Sequence, residues 1–369
     1  MKDFKRIVVK VGTHNICGAD GAPSIENIKR LGSQLLTLIH SGFEVVLVSS
    51  GSVASGANLL LKSQKPNTLA LKQACASVGQ PVLMAFYRHF FEPLGLQVGQ
   101  ILLTGDIIAS RERYINARNT FFELLKKRVL PIVNENDSVS VDEIKFGDND
   151  NLAVNVAAIT EADGVFILTD TDGLYADFGT EKQTLLQNIK GITEEIESLV
   201  VDTKGHFSTG GMWSKIKAAE KAHLLGIPLI IVNGKKENIL LEYLLDKKQP
   251  GTTFWPQEKI RSRKKWLYLH FLESGKIYID EGAKNALLSG KSLLSVGIKS
   301  VEGNFNKGDM VEVLFEDKKI GKGLVNYSAK SLSAICGIPS DLIVEKLGFE
   351  NGKESIHRDN FILIATEDD

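Results

Sequence analysis

Short aliphatic runs alternate with helical patterns through the first two-thirds of the chain, and this alternation restricts the fold most. The runs are nearly continuous in β-branched and aliphatic residues, as in strands buried on both faces of a sheet. They cover residues 6–10, 44–49, 97–104, 130–134, 165–169 and 229–233. The helical patterns cover residues 25–40, 69–91, 114–127, 151–161 and 213–225. The alternation predicts an α/β fold, in which right-handed connections build a mostly parallel sheet covered by helices.

The sequence changes character near Pro250. Residues 249–266 hold two prolines and then a basic cluster at 259–265, which is typical of a linker. Short alternating strands, glycine turns and one or two short helices follow, and they predict a small β-rich barrel. For the 369 residues we expect a large domain over 1–256, a linker over 257–274, a β-rich domain over 275–356 and a C-terminal tail over 357–369.

Composition and cysteine usage exclude several classes of protein. The chain has 44 Lys and Arg against 45 Asp and Glu, so its formal charge of −1 gives no global attraction to nucleic acid or an anionic membrane. Cys17, Cys75 and Cys336 are far apart, which argues against a disulfide scaffold or zinc cluster and fits a reducing compartment. The sequence has no signal peptide pattern and no membrane-spanning run. We expect a soluble, cytoplasmic protein.

Two strand ends carry groups suited to anions. Ligands of parallel sheets bind beyond the carboxyl ends of the strands. Lys10 ends the first run and precedes Gly12, a pattern that can place an ammonium group over a phosphate, although a lone lysine before a turn is more often a surface residue. Ser50 and Gly51 follow the second run and precede a helix, which fits either an anion site or a simple serine cap.

Two clusters rich in Asn and Asp follow the fourth run. Residues 134–137 read NEND, and residues 147–151 read GDNDN at the start of a helix. They supply more hydrogen-bonding groups than a helix cap uses, and they could hold the ammonium of an amino-acid substrate and orient a lysine. The spacing does not fit a calcium-binding EF-hand loop.

Two further turns suit a nucleotide. Residues 169–175 read TDTDGLY after the fifth run, and residues 209–215 read TGGMWSK before a helix, where free N–H groups and Lys215 could contact phosphate. The sequence contains no Walker A, GxGxxG, HExxH or GxSxG motif. A phosphate enzyme with this sequence must therefore be of a non-P-loop kind.

These motifs, in their order and spacing, closely resemble those of the glutamate 5-kinases of the amino-acid kinase family. The segments that carry the resemblance are KVGT, SSG, NENDSV, FGDNDNLA, LTDTDGLY and TGGMWSK. The later GIKSVEGNF resembles the PUA domain of many bacterial members. The resemblance implies a three-layer αβα sandwich, the amino-acid kinase fold, over 1–256 and a barrel-like PUA domain over 275–356.

The resemblance also implies an activity. It is the ATP-dependent phosphorylation of the γ-carboxylate of L-glutamate, the first step of proline biosynthesis, by in-line phosphoryl transfer. Mg²⁺ would accompany ATP and bind mainly to its phosphates, with no protein metal site. Feedback inhibition by proline and assembly into a homodimer or homotetramer are further implications.

Functional roles carry over to single positions. Lys10 and Lys215 would flank the transferring phosphoryl group, and Asp150 would position both lysines. The positions implied in glutamate binding are Ser50, Gly51, Asn134, Asp137, Asp148 and Asn149. Those implied in ATP binding are Lys10, Thr169, Asp170, Thr209, Gly210, Gly211, Met212, Trp213, Ser214 and Lys215.

Three residues depart from the family pattern, and two other functions remain open. His14 and Asn15 stand where a small Ser and an apolar residue are usual, and Trp213 stands where Ser or Ala is usual.

A sister kinase acting on aspartate, N-acetylglutamate, carbamate or UMP is the first alternative function, although NENDSV and GDNDN argue against it. The second is an RNA-binding protein built on the PUA-like domain, in which the basic cluster at 259–265 takes part.

Overall fold

The computed structural model describes residues 3–104, 107, 111–139, 149–193, 196, 199, 211–256 and 274–363. By its internal contacts the chain divides into two units, Met1–Lys259 and Ile260–Asp369. The predicted linker, residues 257–274, lies outside the described residues except for Ser274.

An eight-stranded sheet forms the centre of the first unit, in the order β3-β4-β2-β1-β5-β9-β10-β8. Its strands are β1 Arg6–Val11, β2 Glu44–Ser49, β3 Val98–Leu103, β4 Leu130–Glu135, β5 Gly164–Thr169, β8 Asn188–Ile189, β9 Leu229–Asn233 and β10 Thr252–Phe254, and a separate pair is β6 Tyr175–Ala176 with β7 Thr184–Leu185. Within the eight-stranded sheet every pair of neighbours is parallel except β9 and β10, which are antiparallel, so β10 and its parallel neighbour β8 run opposite to the other six strands. The separate pair of β6 and β7 is antiparallel. The predicted mostly parallel α/β sheet is confirmed, and each aliphatic run forms a strand.

The helices of the first unit follow the predicted patterns closely. They are α1 Ile25–His40, α2 Ser52–Leu61, α3 Leu69–Phe91, α4 Arg111–Lys126, α5 Asn149–Ile159, α6 Met212–Leu224 and α7 Ile239–Leu244. α1 and α3 begin where predicted because Ser24 and Thr68 cap them with side-chain oxygens. α5 begins two residues earlier than predicted, so Asn149 and Asp150 lie in its first turn. Among the described residues, none of the helices combines the length and hydrophobicity needed to cross a bilayer.

Alternation along β1 sends its side chains to two different layers. Ile7, Val9 and Val11 belong to a core cluster with residues of α1 and α3. Val8 and Lys10 alternate to the opposite face, where α5 lies against β1. The strand period therefore places the Lys10 side chain, near the carboxyl end of β1, on the side of α5.

The second unit is β-rich, as predicted. Its strands are β11 Gly275–Ile279, β12 Leu293–Leu294, β13 Ile298–Gly303, β14 Met310–Phe315, β15 Lys318–Leu324, β16 Glu354–Ile356 and β17 Phe361–Leu363, and its helices are α8 Glu281–Leu288, α9 Ala329–Ala334 and α10 Ile343–Leu347. Five strands form one sheet, in the order β13-β11-β14-β15-β17, and β12 pairs with β16. The third helix, α10, exceeds the one or two expected.

The C-terminal stretch differs from the expected tail. β17 pairs antiparallel with β15, and both Phe361 and Ile362 are buried. β17 is the edge strand of the sheet, and without it β15 would be left with an unpaired edge. The second unit therefore extends at least to Leu363, beyond the residue 356 at which the predicted domain ends.

Helices α2 and α3 pack closely because each presents a glycine to the other's backbone. A Cβ atom at Gly79 of α3 would lie 1.8 Å from the Ser52 carbonyl oxygen. A Cβ atom at Gly56 of α2 would lie 1.8 Å from the Cys75 carbonyl oxygen. This approach, which only glycine permits, brings the first turn of α2 next to the middle of α3.

We expect Gly79→Ala to lower the free energy of unfolding by about 3 kcal/mol or more, because backbone atoms of α2 must move to admit the methyl group. Urea unfolding followed by circular dichroism measures the change. The control is Gly282→Ala, at an exposed position of α8 where the nearest atom to the new Cβ is 3.4 Å away; this variant should be neutral or slightly stabilised. Equal stability of the two variants would contradict the close packing of α2 and α3.

Candidate active site

One buried carboxylate lies between two ammonium groups near the carboxyl end of β1. Asp150 Oδ1 is 2.7 Å from Lys10 Nζ, and Asp150 Oδ2 is 3.2 Å from Lys215 Nζ. Ser214 Oγ donates a further hydrogen bond to Oδ2 at 2.9 Å. Lys10, Asp150 and Lys215 are only 7%, 1% and 6% exposed. Strand β1 and the first turns of α5 and α6 thus bring together the three residues that the sequence predicts as catalytic.

The environment shifts the pKa values of this cluster. Burial alone would raise the pKa of Asp150, but the ammonium groups of Lys10 and Lys215, with hydrogen bonds from Lys10 and Ser214, lower it to about 2. Burial lowers the pKa of Lys215 from its ordinary value, and the Asp150 carboxylate opposes that change. Asp150 is therefore ionised at neutral pH, and it holds two cationic side chains next to each other.

A network of amides and hydroxyls lies beside the charged cluster. Asn149 Nδ2 donates to Ser50 Oγ at 2.7 Å and to Asn134 Oδ1 at 3.1 Å. Asn134 Nδ2 donates to Gln80 Oε1 at 3.0 Å and to Ser52 Oγ at 3.3 Å. The network joins the ends of β2 and β4 to the first turns of α2 and α5 and to the middle of α3.

The network leaves one acceptor unused. Asn134 donates both of its amide hydrogens, and its Oδ1 accepts from Asn149 Nδ2 and from its neighbour's backbone N–H, that of Glu135. Asn149 also donates both hydrogens, but its buried Oδ1 has no hydrogen-bond partner in the described part of the chain. A buried amide oxygen without a donor is unfavourable. Asn149 Oδ1 is therefore suited to accept a hydrogen bond from a ligand, whereas Asn134 is fully occupied by protein groups.

A cavity of about 250 Å³ adjoins this network. Asp137 lines it, and its carboxylate accepts a hydrogen bond from Ser52 Oγ at 3.2 Å. Gln80, Gln100 and Ser138 add further polar groups to the wall. The volume and the polar lining suit a small polar molecule rather than a macromolecule.

The other predicted site residues lie at the ends of β5 and α6. Thr169 ends β5, and its Oγ1 donates to Asp170 Oδ1 at 3.1 Å. Gly211 is the N-cap of α6, which begins at Met212. Three predicted residues lie outside the described residues: Asp148, Thr209 and Gly210.

The departures from the family pattern occupy different environments. His14 is exposed. Asn15 is buried, and its Nδ2 donates to the Leu168 carbonyl at 3.3 Å. Trp213 is 44% exposed, and Lys217 Nζ lies 4.8 Å from the centre of its ring. Trp213 therefore lies on an outer face of α6, whereas Ser214 and Lys215 face Asp150.

The sequence did not single out Gln80 or Ser52 as site residues. Gln80 is buried in α3 between Gly79 and Leu83, on the face that carries the helix's apolar residues. A polar residue within that apolar stripe is the one signal that could have identified it. Ser52 begins α2 directly after Gly51, and so resembles an ordinary first-turn serine.

Comparisons with known proteins identify the family of this chain. The model described as "Amino acid kinase family" matches residues 5–233, which is more than half of the chain. This chain belongs to the amino acid kinase family. A second model, described as "PUA domain", matches residues 275–346 of this amino acid kinase. The family resemblance seen in the motifs is thereby confirmed.

The curated relatives of this amino acid kinase match it along its whole length. Glutamate 5-kinase of Dictyoglomus thermophilum is 43% identical over 373 residues and covers 100% of both chains. Glutamate 5-kinase of Syntrophotalea carbinolica is 42% identical and covers 98% of both. Glutamate 5-kinase of Thermoanaerobacter pseudethanolicus is 40% identical over 97% of this chain and 98% of its own.

The lowered pKa of Asp150 predicts a pH-dependent stability. The pKa of about 2 in the folded state lies below the ordinary aspartate value of 3.8, so the stabilisation is present above pH 4 and is lost as the pH falls towards 2. We expect the difference in free energy of unfolding between wild type and Asp150→Asn to narrow by about 2 kcal/mol over that range.

Urea titrations at several pH values between 5 and 2 measure this difference. The control is Asp246→Asn, which removes an exposed carboxylate and should show no comparable narrowing. A difference between wild type and Asp150→Asn that stays constant with pH would contradict the assigned ion pairs.

Proposed function

We propose that this amino acid kinase transfers the γ-phosphoryl group of ATP to the γ-carboxylate of L-glutamate. The product is γ-glutamyl phosphate, and the reaction is the first step of proline biosynthesis. The observation that carries the proposal is the buried Lys10–Asp150–Lys215 cluster. Asn149, the residue before Asp150, belongs to the amide network that borders a small cavity. Full-length relatives named glutamate 5-kinase, at 40–43% identity, support the choice of acid.

The charged cluster suits phosphoryl transfer. This reaction needs alignment of the reactants and neutralisation of charge on the transferring group. Lys10 and Lys215 contact the same buried carboxylate, and in the proposed complex both ammonium groups would contact phosphoryl oxygens. Asp150 keeps the two lysines at a fixed separation and so acts as a positioning residue. No general base is needed, because the γ-carboxylate is already ionised at neutral pH.

The amide network suits the amino-acid end of glutamate. The α-ammonium is the one hydrogen-bond donor of ionised L-glutamate, and the unused acceptor Asn149 Oδ1 is a matching partner. Asp137, on the cavity wall, adds a carboxylate for the same ammonium group. Ser50 and Gly51 would bind the acid from the β2–α2 turn, and the predicted contact of Asp148 belongs to the same proposal. Asn134 would act by holding Asn149, since its own groups are occupied.

ATP would bind across the ends of β5 and α6. The N-terminus of α6, a helix of 13 residues, is the positive end of the helix dipole and has no side-chain cap at Gly211. The phosphates would lie there, against residues 209–215, with Lys215 reaching into the charged cluster. Thr169 and Asp170 end the neighbouring strand and would contact the nucleotide.

A divalent cation would reach this site with the nucleotide. Within the described residues, no group of three or more His, Cys, Asp or Glu side chains could hold a metal ion. Asp150 is engaged by two ammonium groups. Asp170, which accepts a hydrogen bond from Thr169 at the end of β5, would provide a carboxylate near the phosphates. This donor set fits Mg²⁺ bound mainly by the phosphates of ATP, where it would neutralise charge.

Further parts of the proposal concern regulation, assembly and RNA. Proline, a smaller amino acid, would inhibit by occupying the cavity or its surroundings, and the enzyme would be a homodimer or homotetramer.

The match of residues 275–346 to the PUA domain favours RNA binding as a second candidate function. Salt-dependent binding of RNA by the full chain would support it.

A panel of acids tests the choice of substrate. We expect ADP release with ATP, Mg²⁺ and L-glutamate, and suppression by added proline. Aspartate, N-acetylglutamate, carbamate and UMP should give little ADP, because the full-length relatives are named glutamate 5-kinase. Release with one of these acids and none with glutamate would replace the proposal by that of a sister kinase.

Paired lysine variants test the charged cluster. Lys215→Ala should reduce kcat by about a hundredfold or more, because one of the two groups that stabilise the transferring phosphoryl is lost. Lys217→Ala is the matched control: it lies two residues along α6, beside the exposed Trp213, and should keep a nearly wild-type rate. A nearly wild-type rate for Lys215→Ala, with circular dichroism showing an intact fold, would contradict the role of Lys215.

A further inference from the structure

A buried tyrosine lies beneath the β2–α2 turn that carries Ser50 and Gly51. Tyr87 of α3 is 1% exposed, and its hydroxyl lies 2.7 Å from Ser49 Oγ, which is fully buried at the end of β2. Ser49 Oγ donates in turn to the Ser50 carbonyl at 3.0 Å. The three residues form a continuous hydrogen-bonded chain from α3 to the proposed substrate turn.

The direction of this chain follows from the single hydrogen of the serine hydroxyl. Because Ser49 uses that hydrogen for the Ser50 carbonyl, Tyr87 must donate to Ser49 Oγ. Burial raises the pKa of Tyr87 above its ordinary value, so the phenol keeps its proton and remains a donor throughout the neutral range.

The chain fixes one peptide plane at the site. In a trans peptide the carbonyl and the following N–H point in opposite directions, and the described residues contain no cis peptide bond. Holding the Ser50 carbonyl towards Ser49 therefore directs the Gly51 N–H the opposite way. The Ser50 N–H also donates to the Val11 carbonyl at 3.1 Å, so Ser50 is held on both sides, and its Oγ is placed to accept from Asn149.

Gly51 itself supplies little restraint. Its φ of 116° lies in the left-handed region, which is readily open only to glycine, and it has no side chain to pack. A Cβ there would lie 3.2 Å from Cys17 Sγ, so a bulkier residue could not easily replace the glycine. The orientation of this turn thus depends on hydrogen bonds from its neighbours.

We propose that Tyr87 is a positioning residue for the acid substrate, acting through Ser49 on the Ser50–Gly51 peptide. The proposal rests on the proposed role of this turn in binding the acid. Among the described residues, no hydrogen bond joins Tyr87 or Ser49 to Thr169, Asp170 or α6. Loss of the Tyr87 hydroxyl should therefore weaken use of the acid and leave use of ATP unchanged.

Two tyrosine variants test the proposal as a matched pair. Tyr87→Phe removes the hydroxyl that reaches the turn. Tyr243→Phe removes an equally buried hydroxyl of the same unit, which lies 2.9 Å from Thr253 Oγ1. Both variants lose one buried hydrogen bond and should lower the melting temperature to a similar degree. We expect only Tyr87→Phe to raise the KM for the acid, by about three- to tenfold, with the KM for ATP within about twofold of wild type.

The Ser49→Ala variant tests the relay itself. It removes both hydrogen bonds, so its KM for the acid should rise at least as much as that of Tyr87→Phe. The double variant should be no worse than Ser49→Ala alone, because the two residues act in one chain. If the increases in the acid KM of the two single variants multiply in the double variant, Tyr87 and Ser49 act independently, and the proposed hydrogen-bonded relay is overturned.

The outcomes separate this proposal from the proposed function. The positioning role would be overturned if Tyr87→Phe and Tyr243→Phe had the same KM for the acid. It would also be overturned if Tyr87→Phe raised the KM for ATP as much as the KM for the acid. The acid used is whichever one the wild-type enzyme phosphorylates. If that acid is not glutamate, the proposed function fails while the role of Tyr87 is still decided by the same comparison.

Discussion

The site depends on one electrostatic requirement, the pairing of a buried carboxylate. Asp150 is almost inaccessible to water, and a buried carboxylate without a counter-ion would be strongly unfavourable. Lys10 and Lys215 satisfy it, and they reach it from elements far apart in the sequence. Strand β1, α5 and α6 must therefore dock correctly before these charges are compensated. The packing of these three elements therefore also forms the charged cluster of the site.

The first turn of α5 links two different kinds of chemistry. Asn149 belongs to the uncharged network with Ser50 and Asn134, whereas the next residue, Asp150, belongs to the ion cluster. Because consecutive residues of a helix point about 100° apart, one turn can serve both groups. A shift of this helix would disturb both sets of contacts together. The distance between the proposed acid-binding groups and the lysines is thus set by one rigid element.

Several parts of this structure could be predicted from the sequence, because they depend on patterns among residues close together in the chain. Continuous aliphatic runs predicted the central strands, and charged or amide residues after those runs predicted the positions that converge at the sheet's end. Gln80 and Tyr87 could not be found in this way, since both lie in α3 among residues that pack in the core. Their roles depend on which hydrogen-bonding groups of other elements lie within 3 Å, and that is a tertiary property. The strand Phe361–Leu363 could not be predicted either, because three residues give too little pattern to distinguish a strand from a tail.

The three residues that depart from the family pattern differ in how they are tied to the rest of the site. Trp213 lies on an outer face of α6, and His14 is exposed, so neither residue contacts Asp150 in the described structure. Asn15 is different, because it is a buried amide beside the end of β5. Its Nδ2 donates to the Leu168 carbonyl, the last residue of β5 that pairs with β1. The side chain thus continues the hydrogen bonding of the sheet past the point where β1 ends, immediately before Thr169. An apolar residue at position 15 could not donate this hydrogen bond. In this chain the Asn15 side chain therefore stabilises the end of β5, where the nucleotide is predicted to bind.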